Sequence, residues 1–261
     1  MYIPKKIKEI IGDVALNKDT VGMSNSSVFV LENMVLKAQS EDFEAKNEVK
    51  ILSWLRGKLP VPDIIEHISE NGCSYILMSK CQGKMACDDE YMKKPKLQAR
   101  LLAETLNQLW SVNISICPCN WQLERKLLIA SQNVENGSVD LDNTQPDTFG
   151  PGGFKDPEHL LYWLMDNQPT EELVLSHGDF CLPNIYFNDN TVSGLIDLGK
   201  CGIADKWTDI ALCYRSLSNN FSGMYHGRSY SGFEPEMLFD GLGIRPDYER
   251  IRYYILLDEL F

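Results

Sequence analysis

The sequence predicts an α+β chain in two lobes, a small β-rich N-lobe over residues 1–82 and a larger, mainly helical C-lobe over residues 83–261. Three observations predict it. Extended, alternating segments dominate as far as Met78, an abruptly polar stretch follows at Ser79-Lys-Cys-Gln-Gly83, and from Asp88 onward apolar residues recur at helical spacing. At 261 residues the chain is long enough to bury the core of one large domain or of two lobes.

Lys5 to Gly12 carries Ile7, Ile10 and Ile11 at helical spacing and reads as a short amphipathic helix closed by Gly12, covering an edge of the first lobe. Asp19 to Leu31 then sets a small polar loop, with Gly22, Ser24, Ser26 and Ser27, between extended segments. Small residues let backbone N–H groups close over phosphates. Taken alone the pattern also describes a plain hairpin turn, for it lacks the Gly-Lys-Ser/Thr ending of a Walker loop and the kinase G-x-G-x-x-G. Met34-Val-Leu-Lys37 ends an apolar strand in a lysine, and Glu48 lies in a helix over Glu41 to Leu55. A strand lysine held by a helix glutamate is the pair that positions nucleotide phosphates, although either residue alone reads as solvated.

Leu59-Pro-Val-Pro62 breaks that helix, and Ile64 to Ile68 and Ser74 to Met78 read as strands around the hairpin dipeptide Asn71-Gly72. The polar stretch after Met78 reads as a hinge, whose Ser79 and Cys81 would offer backbone amide groups to an adenine edge. Leu97 to Trp110 and Trp121 to Ala130 read as helices, and Asp156-Pro157 opens another to about Asn167. Between them residues 133–153 form a long acidic, Gly-rich loop in which Asp140, Asp142 and Asp147 either meet a cationic substrate or stand solvated.

The chemistry gathers in Leu175-Ser-His-Gly-Asp-Phe-Cys-Leu-Pro-Asn-Ile-Tyr-Phe187 and Ser193-Gly-Leu-Ile-Asp-Leu-Gly199. Moving a γ-phosphoryl group needs a carboxylate to take or orient the acceptor hydroxyl, and Mg²⁺ on oxygen ligands to neutralise the phosphates. Asp179 fits the first need; Asn184 and Asp197 fit the second, with Ile196 beside them on the nucleotide. Leu173-Val-Leu175 and Ile185-Tyr-Phe187 read as β segments of a hairpin flanking the loop, and Val192 to Leu198 as a strand ending at Asp197. The spacing D-x-x-x-x-N, then an apolar residue, Asp, one residue and Gly, matches the catalytic and metal loops of protein kinases. His177-Gly-Asp179 replaces their His-Arg-Asp, which turns the likeness towards kinases of small molecules. His177 itself reads as a buried brace of the loop.

Ala204 to Arg215 reads as a helix in which Asp209 caps or anchors the catalytic loop and Asp205 is a plain cap or surface acid. Pro246 to Phe261 reads as the last helix. Asp258, Glu259 and the Phe261 carboxylate crowd its C-terminal end, where the helix dipole disfavours negative charge. A rule broken this way points to function, while composition alone describes a frayed, solvated tail.

Net charge is −12, of which residues 83–261 carry −11, a surface that repels nucleic acid and anionic membranes and attracts polycations, although charge by itself reads first as solubility alone. No apolar run approaches bilayer thickness and the start has no signal-peptide core, so a cytoplasmic protein is expected. The eight cysteines hold no C-x-x-C pair and read as free thiols. Nothing in the sequence reports the oligomeric state.

Gly22-Met-Ser24, Leu36-Lys37, Trp54-Leu-Arg-Gly-Lys-Leu-Pro-Val-Pro62, Ser176 to Asn184, Ser193 to Gly199, Ala204-Asp-Lys-Trp207 with Asp209-Ile-Ala211, and Tyr253-Tyr-Ile-Leu-Leu-Asp-Glu-Leu-Phe261 together resemble the aminoglycoside 3′-phosphotransferases, bacterial antibiotic-resistance kinases. The resemblance spans nearly the whole chain. It implies a protein-kinase-like fold with ATP and Mg²⁺ in the cleft and a cationic aminoglycoside on the acidic C-lobe. It also implies that Lys37 and Glu48 position phosphates, that Ser24 lies over them, and that Asp179 is the base or hydroxyl-orienting group. By the same resemblance Asn184 and Asp197 hold Mg²⁺, and Asp142, Asp258, Glu259 and the carboxylate of Phe261 receive substrate ammonium groups. Val35 stands where an aromatic residue is common, and Lys200 where an arginine is. A kinase of another small hydroxylated metabolite, choline-like or a sugar, shares the catalytic loop but gives the acidic tail no purpose.

Overall fold

Asn71 and Gly72 both take positive φ (56° and 73°), the backbone that a two-residue hairpin requires, and join β4 (Ile64–Glu70) to β5 (Cys73–Ser79). Around this hairpin the computed structural model, which describes residues 2–12, 17–18, 26–225 and 227–261, places a five-stranded antiparallel sheet. Its order is β1 (Asn17–Lys18), β2 (Ser27–Val30), β3 (Met34–Ser40), β5, β4. Strand alternation gives the sheet two different faces. Leu36 and Ala38 join Phe29, Tyr75 and Leu77 beneath Ile3, Ile7 and Ile11 of the segment that carries α1 (Lys5–Ile11). The helix therefore covers a face of the sheet and not its edge, and Ile10, off that four-residue row, is exposed.

Lys37 points the other way. It lies inside β3 and not at its end, because pairing with β5 continues to Ser40 opposite Cys73. On that side runs α2 (Phe43–Leu55), capped by Asp42, whose carboxylate accepts from the Ala45 N–H. Ile51, Leu52 and Leu55 of α2 share a core with Leu175, Phe180 and Leu198, so the helix packs against the loops of the second lobe as well as its own sheet.

Beyond the hinge, β6 (Lys84–Met85), β8 (Ile185–Asn188) and β9 (Thr191–Leu195) form a three-stranded sheet, while β7 (Leu173–Ser176) pairs with β10 (Gly202–Asp205). The expected hairpin around the catalytic loop is thus corrected, since its two flanking strands belong to different sheets. Gly178 shows why the chain turns there. At φ 82° it presses on Lys200, and a Cβ would stand 2.1 Å from the Lys200 carbonyl oxygen, so the loop leans on the segment that leads into β10.

The helices are α3 (Asp89–Met92), α4 (Pro95–Trp110), α5 (Leu123–Asn136), α6 (Pro157–Asp166), α7 (Lys206–Ser222), α8 (Glu236–Leu242) and α9 (Tyr248–Asp258). α5 runs on into the start of the expected long loop until Gly137, in the left-handed conformation, ends it. A 3₁₀ turn, Leu141–Asn143, forms further along. α9 buries Ile251, Tyr254 and Leu257 against Trp207 and Ile210 of α7 and Leu160 of α6, which brings the C-terminal residues beside the helix that braces the catalytic loop. Among the described residues no helix is long and apolar enough to cross a membrane.

Candidate active site

The sheet and α2 bring a lysine and two acids to one point. Lys37 Nζ lies 2.8 Å from Glu48 Oε2 and 2.8 Å from Asp197 Oδ1. Burial alone would lower the Lys37 ammonium, but Glu48 and Asp197 outweigh it and hold its pKa above the ordinary value. Burial likewise pushes the Asp197 carboxyl up, and Lys37 prevails to keep it low. Asp197 adopts φ 60° and ψ 55°, a conformation that strains a residue with a side chain and is held here by the ion pair.

Next to Glu48, buried Asn47 donates its amide to the Gly199 carbonyl (2.7 Å) and the Cys201 carbonyl (2.8 Å). Neighbouring residues of α2 therefore grip Lys37 and the turn after Asp197. Sequence reasoning missed Asn47; its only signal is an amide beside the apolar stripe of an amphipathic helix.

The catalytic loop is held from both sides. Asn184 Nδ2 donates to Asp179 Oδ2 (2.9 Å) and to the Asp179 carbonyl (3.0 Å), and the Cys181 thiol donates to Asp179 Oδ1 (3.1 Å). Behind it Asp209, fully buried in the first turn of α7, accepts from Ser176 Oγ (2.8 Å), the Gly178 N–H (3.1 Å) and Trp110 Nε1 (3.0 Å). Asp209 is thus the anchor of the loop. Asp205 is the N-cap of α7, yet it is buried and also accepts from the Tyr254 hydroxyl (2.7 Å). His177 is fully buried, takes the Asp179 N–H on Nδ1 (3.3 Å) and sets its ring edge against Phe180, as a brace would.

A cleft of about 1020 Å³, counted out to its open mouth, separates the lobes and is lined by Val28, Val35, Met78, Tyr186, Ile196 and Asp197 among others. Lys37, Glu48 and Asn184 line it too. Ser79 and Cys81 are at its hinge wall, with one correction. The Ser79 N–H is bound to the Asp63 carbonyl (2.9 Å) because β5 still pairs with the chain before β4, so it is not offered to a ligand. Among the described residues no hydrogen bond engages the Cys81 N–H. Ser24 lies outside the described residues. Tyr186, an aromatic wall of the cleft, was not foreseen; it follows Ile185 directly and alternates to the opposite face of β8.

The C-terminal residues meet the catalytic loop at a small cavity lined by Gly178, Lys200, Asp258 and Phe261 among others. Lys200 Nζ lies 5.1 Å from the Phe261 ring centroid. Asp258 is ion-paired with Arg215, which sequence reasoning also missed, and against the effect of burial Arg215 and Lys200 keep its carboxyl low. Glu259 keeps its Oε1 3.6 Å from Nη1 of the same Arg215. Its Oε2 accepts the Gln145 N–H (2.9 Å), and burial pushes its carboxyl up to about 7. Asp142 is exposed in the 3₁₀ turn three residues before Gln145 and joins no ion pair among the described residues.

The model of the phosphotransferase enzyme family matches residues 16–254. An aminoglycoside 3′-phosphotransferase of Enterococcus faecalis is 39% identical over 100% of this chain and 99% of its own length. One of Staphylococcus aureus is 38% identical, also over 100% of this chain and 99% of its own. Among solved structures, an aminoglycoside phosphotransferase from Streptomyces rimosus in complex with ADP and streptomycin superposes with a TM-score of 0.79 at 24% identity, covering 97% of this chain and 95% of that one.

Proposed function

The chain belongs to the phosphotransferase enzyme family and, within it, to the aminoglycoside 3′-phosphotransferases, and from that membership we propose that it transfers the γ-phosphoryl group of ATP to the 3′-hydroxyl of an aminoglycoside. The observation that carries the reading is the convergence of Lys37, Glu48, Asp179, Asn184 and Asp197 on one cleft and its mouth. A cytoplasmic setting, where ATP is at hand, and a lobe boundary at residues 82 and 83 are part of the same proposal.

The donor set fits Mg²⁺. The Asn184 amide nitrogen is taken by Asp179, so its oxygen is the end left for a cation, and Asp197 keeps Oδ2 beside the oxygen bound to Lys37. One amide and one carboxylate are few ligands, as Mg²⁺ prefers when phosphate oxygens complete its octahedron. Bound there, Mg²⁺ supplies neutralisation of the phosphate charge. Lys37, fixed by Glu48, steadies the phosphates, and Ser24 is assigned to the same phosphates. Ile196 and the Cys81 backbone form the nucleoside wall, with Ser79 lining the cleft beside them.

Asp179 receives the acceptor hydroxyl. A carboxylate offers about four lone-pair directions, and with one donor on each oxygen two directions remain for that hydroxyl. The ammonium groups of the antibiotic are assigned to Asp258 and Phe261 at the cavity beside Gly178, and to Glu259 and, on the loop near Gln145, Asp142. Asp179→Ala is expected to lower kcat by about 100-fold or more, with the ATP dissociation constant within about twofold of wild type in equilibrium binding. A variant that retains most of its kcat removes Asp179 from the chemistry.

A further inference from the structure

We propose that Cys181 is a positioning residue for phosphoryl transfer, its thiol fixing one oxygen of the Asp179 carboxylate while Asn184 fixes the other. The proposal rests on the reading of Asp179 as the group that receives the acceptor hydroxyl. A carboxylate turns easily about its Cβ–Cγ bond. With Asn184 alone on Oδ2 the other oxygen swings; with Cys181 Sγ at 3.1 Å from Oδ1 the plane of the group is set. Transfer depends on that plane, because an acceptor oxygen misplaced by about an ångström forfeits much of the advantage of being held in line.

The backbone explains how the thiol reaches its target. The Cys181 N–H binds the Asp179 carbonyl (2.8 Å) and the Asn184 N–H binds the Cys181 carbonyl (3.0 Å), so the loop folds back on itself within six residues. The next residue is pinned from outside, its Leu182 N–H on Ser216 Oγ (2.9 Å) in α7. Cys181 is thereby held in place with its side chain returned towards Asp179. Burial, reinforced by the Asp179 charge, pushes the thiol well above the ordinary cysteine value, so it remains a protonated donor and a poor nucleophile. Its grip is also independent of the metal ligand. Asn184 must serve Mg²⁺ with one end of its amide and Asp179 with the other, whereas Cys181 serves Asp179 alone.

The test compares wild type, Cys181→Ala, Cys181→Ser and Asp179→Ala by steady-state kinetics with kanamycin and ATP, equilibrium ATP binding and thermal melting. Cys181→Ala is expected to lower kcat about tenfold, the value of one hydrogen bond of this kind, with both KM values and the ATP dissociation constant within about twofold. Cys181→Ser keeps a donor and is expected to return kcat to within about twofold of wild type. Wild-type kcat in Cys181→Ala overturns the proposal, as does a Ser variant no faster than the Ala variant. If Cys181→Ala does not fold, the one-atom change to Ser still decides, and a Ser variant slower than about one-fifth of wild type overturns the proposal. Turnover in Asp179→Ala would instead strike at the reading beneath it; an inactive Asp179→Ala beside an unimpaired Cys181→Ala strikes at Cys181 only.

Discussion

Glu259 is 7% exposed and its carboxyl is pushed up to about 7, first by burial and then by neighbouring acids, against the Gln145 N–H and Arg215. The folded protein therefore holds this proton up to a higher pH than the unfolded chain, whose glutamates lose theirs near about 4.3. Its contribution to stability is fully present below that value and is lost as pH rises towards 7. Glu259→Gln removes the titration and keeps an acceptor for Gln145. Urea unfolding of both proteins at pH 5 and pH 7.5 should show wild type losing about 1–2 kcal/mol relative to the variant as pH rises; a gap that stays constant contradicts the assignment. At this scale the sequence exposes residues whose spacing is dictated by chemistry. The proposed roles of Asp179, Asn184 and Asp197 around one transferred phosphoryl group would set their intervals. Arg215, Asn47 and the contact between Cys181 and Asp179 carry no such interval, because each is defined by where a side chain turns.

The first turn of α7 shows how an element carries a site it does not enter. Asp209 offers one buried carboxylate to a hydroxyl, an amide N–H and an indole N–H from β7, the catalytic loop and α4. Asp209→Ala leaves all three donors without it, so the protein should lose about 3 kcal/mol or more in urea unfolding while kcat falls with the displaced loop. A loss under about 1 kcal/mol would mean that the three donors find other partners. Periodicity revealed most elements, and the Asn71-Gly72 hairpin was legible because only a few dipeptides suit its backbone. The partnership of β7 was not. A four-residue strand identifies itself by composition, but its partner β10 lies past the catalytic and metal loops, and nothing local distinguishes that pairing from a hairpin with β8.

Across the whole molecule the lobes are joined, beyond the hinge, by the core that α2 shares with Leu175, Phe180 and Leu198 and by specific polar and ring contacts. Lys37 meets Asp197, Asn47 meets the turn after it, and the Arg125 guanidinium of α5 stands 4.1 Å from the Phe43 ring of α2. These contacts fix the width of the cleft in which nucleotide and acceptor must line up. The acidic excess of residues 83–261 lies on the lobe that would receive a polycation, and such a field favours its capture. Two lobes and their charge were legible because composition shifts at one place in the chain. The cavity between Gly178, Lys200, Asp258 and Phe261 was not, since it exists only where the C-terminal helix packs behind the catalytic loop. The most direct test of the account is to incubate the purified protein with ATP, Mg²⁺ and kanamycin and to locate the transferred phosphate by mass spectrometry and phosphorus NMR. The account predicts a singly phosphorylated antibiotic bearing phosphate on its 3′-oxygen; no transfer to kanamycin, with faster transfer to a choline-like or sugar acceptor, would contradict it.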